Sequence, residues 1–401
     1  MLKLLQLNVC LNYSTGKIAQ SIGEVAMQHG WVSYIAYSSR EPFVPCKSEV
    51  IKVGNMITPY IHYIENRIFD REGLSSRCAT KILVEFIKKF KPDIIQLHNI
   101  HDHWVNYKIL FEYLNQTDIK VVWTFHDCWA FTGHCFHFVT KNCERWQIQC
   151  YDCPLVHEYP NTLADHSLKN YELKKRLFGD CKNLTIVPCS DWMENFVKKS
   201  FLKNKKIYVI KNGVNLNTFR PLCDNIKRTD KDRIFRILAV SNIWNKEKGF
   251  SDIIKLRKIL LKDDFDITVV GLNKNQLDNL PNGIVGIRRT SNVQELVELY
   301  SNADVLINPT YADTFPTVNL EALACGTPVI TYRTGGSPET VDEKTGIVVN
   351  QGDVDGMAEA IKKIKNHPLS AEDCRERAVQ YFDKDKCFER YISLYKQLIA
   401  K

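Results

Sequence analysis

Short apolar runs alternate with amphipathic stretches along almost the whole chain, a rhythm that predicts strand, loop and helix in repetition. Residues 4–10 read as a buried strand, followed by a polar turn and a helix to about residue 28 that Gly30 stops. Residues 32–37 form the next strand, a helix covers about 76–90 and ends before Pro92, and strands follow at 93–97, 120–125, 184–188 and 207–210. The pattern restarts after about residue 220. A strand at 234–240 is followed by a Lys-Gly turn, a helix from 250, a strand at 266–270, a helix at 293–301, a strand at 304–308, a helix at 318–324 and a strand at 328–332. A helix at 354–365 has Asp353 as its expected N-cap. Such alternation implies parallel sheets with helices on both faces, so the fold class is α/β, with two doubly wound Rossmann-like units of ~200 residues each. The polar stretch 221–232 is the expected linker.

In sheets of this kind ligands bind beyond the carboxyl ends of the strands. Those ends are polar here: Asn12 to Gly16; His98, Asn99, His101, Asp102 and His103; His126 and Asp127; Lys246, Lys248 and Gly249; Asp313 to Thr317; Gly335 and Gly336. Two units that both carry such groups predict a site in a cleft between them.

A length of 401 residues agrees with two domains. Hydrophobic residues at 44% and charged residues at 25% exclude a disordered chain, a collagen and a coiled coil. No apolar run approaches the ~18 residues of a membrane span, and the N-terminus lacks the pattern of a signal peptide, so a cytoplasmic protein is expected. The net charge of +8 is uneven: 27 basic and 20 acidic residues lie in 1–215, against 27 and 26 in the remainder. The excess is densest at Lys198, Lys199, Lys203, Lys205, Lys206 and Lys211. It reads as a solvated helix face or as attraction to an anionic membrane surface or a phosphorylated acceptor. Nucleic acid fits less well, because no aromatic base-stacking motif interleaves the charges.

The most informative string runs from Asn308 to Ile330. A strand enters the tight loop Tyr311-Ala312-Asp313-Thr314-Phe315, and a helix starts near Pro316 or Thr317 and ends at Gly326. The unpaired N–H groups of Thr317 and Val318 at such a start suit a diphosphate. Glu321, one turn in, reaches a ribose on the same ligand, and Asp313 faces its sugar end.

This string resembles the acidic-x7-acidic signature of the family 4 glycosyltransferases. The resemblance covers most of the chain. Residues 209–215, with Phe219 and Pro221, are similar to that family's interdomain Asn-Gly-Val-Asp segment, with Asn215 for the usual Asp; Lys248-Gly249, residues 335–339 and residues 345–349 match further elements in order. The resemblance implies the GT-B fold and retaining transfer of a sugar from a nucleotide-sugar donor, UDP first and GDP second. It implies a first domain over 1–217 that takes a glycan or lipid-linked acceptor, a second over 218–380 that takes the donor, and a last helix within 381–401 packing back on the first. Gly16 becomes the phosphate-turn glycine, Lys248 the neutraliser of the departing diphosphate, Glu321 the ribose ligand, and Asp313 the contact to the donor sugar, with Phe315, Pro316, Thr317 and Val318 around the phosphates. Many members carry Arg six residues before that Lys; Asn242 stands here, and Lys246 is the expected replacement charge. The family needs no catalytic metal. The implied setting is surface-polysaccharide assembly, capsule or lipopolysaccharide, at the inner face of a membrane with peripheral contact.

His126 ends the strand at 120–125 and, by the resemblance, faces the donor sugar and the reacting centre. No dedicated nucleophile accompanies it, which agrees with front-face transfer rather than two-carboxylate chemistry. The residues His98 to His103 offer metal-ligand spacing or a polar rim for acceptor hydroxyls; the rim is favoured because no His-Glu-x-x-His pattern is present. Cys135, Cys143, Cys150 and Cys153 supply four thiols within nineteen residues of a long loop, with Cys128, His134 and His137 nearby. They read as a structural zinc site, as free thiols in a packed loop or as a disulfide pair. A nucleotide-sugar epimerase of the same architecture and a zinc-stabilised nucleic-acid-binding protein are the alternative functions.

Overall fold

The computed structural model describes residues 1–222 and 234–400, so all of the expected linker but Pro221 and Leu222 lies outside the described residues. The chain forms two compact units, Met1–Lys211 with the chain from Phe388 onward, and Asn212–Cys387.

The first unit contains β1 (Lys3–Leu7), α1 (Tyr13–Gln28), β2 (Val32–Ser38), β3 (Glu49–Val53), α2 (Thr58–Phe69), α3 (Arg77–Phe90), β4 (Ile94–Leu97), α4 (Tyr107–Leu114), β5 (Lys120–Phe125), α5 (Ser167–Asp180), β6 (Leu184–Pro188), α6 (Asp191–Val197) and β7 (Lys206–Ile207). Its seven strands lie in the order β3-β2-β1-β4-β5-β6-β7, all neighbours parallel. β1, β4 and β6 are apolar almost throughout because helices cover both faces. The strand ladders run on past the regular elements: Ser38 N–H donates to the Val9 carbonyl, and Tyr208 and Ile210 N–H to the carbonyls of Ile186 and Pro188, which accounts for the longer strands read at 4–10 and 207–210.

The second unit contains β8 (Phe235–Val240), α7 (Phe250–Ile259), β9 (Phe265–Val270), α8 (Lys274–Asp278), β10 (Ile284–Ile287), α9 (Val293–Asn302), β11 (Val305–Asn308), α10 (Thr317–Ala324), β12 (Val329–Tyr332), β13 (Gly346–Val349), α11 (Val354–Asn366) and α12 (Ala371–Tyr381). Its parallel sheet has the order β10-β9-β8-β11-β12-β13. Asp353 caps α11, its carboxylate accepting from Gly356 N–H at 2.8 Å. The last helix, α13, spans Lys384–Ile399. In the first unit its Tyr391 and Tyr395 hydroxyls meet Thr124 Oγ1 at 2.9 Å and Gln96 Oε1 at 2.8 Å, so two buried polar groups of the sheet find partners on this helix.

Both sheets reverse their strand order once, at β1/β4 and at β8/β11. The loops after these paired strands are where a ligand crevice forms in an open α/β sheet.

Candidate active site

In the second unit, Lys248 follows β8 and Asp313 follows β11, neighbours at the reversal. Lys248 Nζ donates to Asp313 Oδ2 at 2.7 Å, with the two side chains 32% and 20% exposed. The other oxygen of Asp313 accepts from Phe315 N–H at 3.2 Å, an Asx turn that shapes the entry to α10. The two loops are joined through the main chain, Tyr311 N–H donating to the Glu247 carbonyl at 2.6 Å. Two glycines permit this closeness: Gly249 and Gly335 take φ of 75° and 57°, and a Cβ on them would sit 2.0 Å and 1.6 Å from the carbonyl oxygens of Pro309 and Asp313.

α10 starts at Thr317 with Pro316 as N-cap residue and no side-chain cap. Thr317 and Val318 are half-buried, and their N–H groups sit at the positive end of the helix. Glu321, one turn on, accepts from the hydroxyl of the buried Tyr300 at 2.9 Å. Burial, then the Glu321 charge, push the Tyr300 phenol well up, so it remains a donor.

Three expected residues sit differently from the expectation. Phe315 is buried, its ring 5.9 Å from that of Phe382, and Pro316 is buried too, so both hold the loop rather than present side chains outward. Gly16 lies inside the first turn of α1, not in the preceding turn; its N–H is directed at the Cys10 thiol, and a Cβ would stand 2.4 Å from the backbone of Leu11. The physical reason is packing, since α1 starts against its own strand-end loop with no room for a side chain. Lys246 is exposed, with its carbonyl closing the turn by accepting from Gly249 N–H at 3.2 Å.

In the first unit, His126 at the end of β5 stacks on His98 at the end of β4, the ring centroids 5.4 Å apart. Burial pushes His126 down to about 4 and His98 well below the ordinary imidazole range, so both are neutral near pH 7. Their tautomers follow from a chain of bonds. Gln6 Nε2 donates to the Ala19 carbonyl at 2.7 Å, which turns Gln6 Oε1 toward His98 Nε2 at 3.2 Å. An amide oxygen only accepts, so His98 carries its proton on Nε2, and its Nδ1 accepts from His126 Nε2 at 3.1 Å. His126 Nδ1 is thereby the unprotonated nitrogen. Beside this pair, His101 Nε2 meets Asp127 Oδ2 at 2.7 Å. Burial raises the Asp127 carboxyl, but the His101 charge and hydrogen bonds outweigh it and hold it at about 2.

His103 has another role. Its Nδ1 contacts Glu72 Oε2 at 2.5 Å, while Glu72 Oε1 accepts from Asp102 N–H at 2.8 Å and His103 N–H at 3.0 Å. His62, Glu72 and His103 bring three ligand atoms within 4.8 Å of one another among the described residues. His62 has both nitrogens committed, Nε2 to Gly73 N–H at 3.0 Å and Nδ1 to Ser76 Oγ at 2.8 Å, so the trio works as a buried ion pair that fixes the loop after β4.

Sequence reading missed Gln6, Tyr300, Tyr311 and Asp252. Asp252 is buried and accepts from Tyr311 at 2.6 Å, Tyr332 at 3.0 Å and Lys255 at 3.0 Å, steadying the loop that carries Asp313. The signal for Gln6 was present: an amide inside the otherwise apolar strand Lys3–Leu7 needs a partner.

Residues 40–218 match the family described as Glycosyltransferase Family 4, and residues 234–367 that described as Glycosyl transferases group 1. The putative colanic acid biosynthesis glycosyl transferase WcaC of Escherichia coli is 22% identical over 99% of this chain and 100% of its own. Among solved structures, the sucrose-phosphate synthase of Thermosynechococcus elongatus superposes with a TM-score of 0.76 at 18% identity, covering 100% of both chains. The Anabaena protein HepE, solved in complex with UDP-glucose, gives 0.65 at 13% identity over 99% of this chain and 100% of that one. These matches lend no support to the epimerase or the nucleic-acid-binding alternative. The chain belongs to the glycosyltransferases of the GT-B fold, with a family 4 region in its first half and a group 1 region in its second.

Proposed function

We propose that the chain transfers a sugar, with retention of anomeric configuration, from a nucleoside-diphosphate sugar to a glycan or lipid-linked acceptor during assembly of a surface polysaccharide. The observation that carries this reading is the Lys248–Asp313 pair, 2.7 Å apart beside the uncapped start of α10 and Glu321. The likeness to the colanic acid glycosyl transferase supports the setting, and that to a protein solved with UDP-glucose supports UDP as carrier, with GDP second.

In this reading the N–H groups of Thr317 and Val318 bind the diphosphate, Glu321 binds the ribose hydroxyls, and Asp313 binds the sugar. Lys248 meets the charge that grows on the phosphate as the glycosidic bond breaks, and Lys246 adds a second, more exposed charge. The acceptor oxygen bonds to the anomeric carbon on the face the phosphate leaves, and its proton passes to the departing phosphate oxygen. Neutral His126 accepts a sugar hydroxyl through Nδ1. No catalytic metal takes part. Glu321→Gln tests the assignment: calorimetry with UDP-sugars should show binding weakened by ~1.5–3 kcal/mol with folding intact. Unchanged affinity removes Glu321 from the donor site.

Peripheral contact with an anionic membrane belongs to the same proposal, on the cytoplasmic side. Among the described residues no helix is long and apolar enough to cross a membrane. The lysine run gives limited support, since Lys198 pairs with Glu194 and Lys211 with Asp191. Better support comes from α2 and the turn before it, where Ile57, Tyr60, Ile61 and Ile64 are 64%, 63%, 52% and 55% exposed. Sedimentation with phosphatidylglycerol vesicles should carry the protein down, and Ile61→Glu should weaken this several-fold; equal recovery of both proteins rejects the contact.

A further inference from the structure

The sulfurs of Cys135, Cys143, Cys150 and Cys153 are not gathered: among the described residues no three of them lie within 4.8 Å of one another. A tighter arrangement joins α9 to α10 in the second unit. α9 buries Val297, Tyr300 and Ser301, the three- and four-residue spacing of one helical face. Tyr300 is fully buried, and a phenylalanine would fill the same space. Its hydroxyl is thus an extra polar group that needs a partner away from water. The partner is Glu321, whose Oε2 accepts from it at 2.9 Å. Glu321 is the only charged residue of α10, a helix that buries Asn319, Leu320, Ala322, Leu323 and Ala324.

Tyr300 is held from several sides. Its carbonyl accepts from Thr327 Oγ1 at 2.6 Å, and Thr327 N–H donates to the Ala322 carbonyl at 2.9 Å. The Tyr300 ring meets Phe219 edge-on, the centroids 6.2 Å apart. One hydrogen bond therefore runs from α9 to the second turn of α10, and another returns to α9 from the turn that follows α10. A ring fixed in this way keeps its hydroxyl in one place. Glutamate is the opposite case, with three rotatable side-chain bonds whose ordering has an entropic cost. A phenol that has already set the direction of the carboxylate removes part of that cost from ligand binding. A carboxylate accepts along about four lone-pair directions, so the bond to Tyr300 is compatible with bonds to the two hydroxyls of a ribose.

On the assignment of Glu321 to the donor ribose, we propose that Tyr300 is a positioning residue for that contact. Its hydroxyl aims the Glu321 carboxylate at the ribose hydroxyls, and the pair makes the site select a ribonucleoside diphosphate over its deoxy forms. Tyr300 acts through Glu321 and takes no direct part in the transfer. Selection of this kind follows when a site is built around substrate hydroxyls, because an analogue without them leaves the carboxylate without those partners.

The test is calorimetry of the full chain with UDP and GDP, each beside its 2′,3′-dideoxy form. For the nucleotide that binds, the wild type should prefer the ribose form ~10- to 100-fold. Tyr300→Phe should weaken the ribose form ~10-fold and leave the dideoxy form unchanged, so the preference shrinks by the same factor. In a Glu321→Gln background the added Tyr300→Phe should have no further effect. A purely structural role gives another result: both forms weakened alike, or an additional loss in the double variant, and either overturns the proposal. Equal binding of both forms by the wild type, or of neither nucleotide, is a different failure, since it strikes at the ribose role of Glu321 and overturns the proposal with it. Should Tyr300→Phe fail to fold, Glu321→Asp decides. Its carboxylate is one methylene short of the phenol, so the preference should shrink there too; a preference kept in full overturns the proposal.

Discussion

At the ends of β5 and β4, His126 and His98 are neutral, stacked and fixed by a relay of hydrogen bonds that starts at Gln6. At the ends of β8 and β11, Lys248 and Asp313 form an ion pair that keeps a third and a fifth of its side-chain surface in solvent. Both clusters occupy the same topological place, the strand ends near a reversal of order. The difference lies in what each can stabilise. A neutral imidazole with an assigned lone pair selects a hydroxyl by direction. A lysine whose partner is one carboxylate, beside the positive end of a helix, answers a change in charge. The two clusters lie in separate units and differ in the kind of partner each can hold.

The largest expected effect that tests this contrast is on the charged side. Lys248→Ala should lower kcat by ~10²–10³, with a smaller change in donor KM, because the lost interaction grows toward the transition state. An equal loss in ground-state donor affinity would mean that Lys248 binds without assisting departure. On the neutral side, Gln6→Met removes the acceptor that sets the His98 tautomer. It should lower kcat about tenfold with donor affinity unchanged, and Gln6→Glu, which loses the N–H that bonds the Ala19 carbonyl, should not restore the rate. With His126 titrating at about 4, the wild type should show no acid limb from it between pH 5 and 7. The unfolded imidazole titrates near 6.5, so the unfolded chain binds more protons between about pH 4 and 6.5 and stability contributed by this group falls as pH drops through that window. A rate limb near pH 6.5 that the Gln6 variants shift would place the imidazole in solvent and cancel the contrast.

The loop between β11 and α10 was legible because its grammar is local. A strand, an Asx turn, a proline and a helix start follow one another within ten residues, and their physics does not depend on the rest of the chain. β5 and β6 were equally plain, as short, mostly apolar runs rich in β-branched residues. β3 was not, since the sequence Glu-Val-Ile-Lys-Val is an edge strand with a wet face. α2 buries Pro59, His62 and Asn66 on one face and leaves Ile61, Ile64 and Ile68 exposed, the reverse of the amphipathic pattern. α5 is polar overall, yet it buries Lys174 and Asn170, because the carbonyls of Trp129 and Asp70 accept from them. The histidine relay could not be read, because it joins residues 6, 98 and 126 through a sheet register that only the fold supplies.

The main-chain clasp between the Glu247 and Tyr311 loops, with Gly335 against the Asp313 carbonyl, has an evolutionary consequence. Its holding bonds run from backbone to backbone, so they survive exchange of the side chains around them. Position 246 can gain or lose a charge while the clasp persists, since only its carbonyl takes part in the turn. Exchange of the exposed side chains around the clasp is then cheap, and exchange of Gly335 is not.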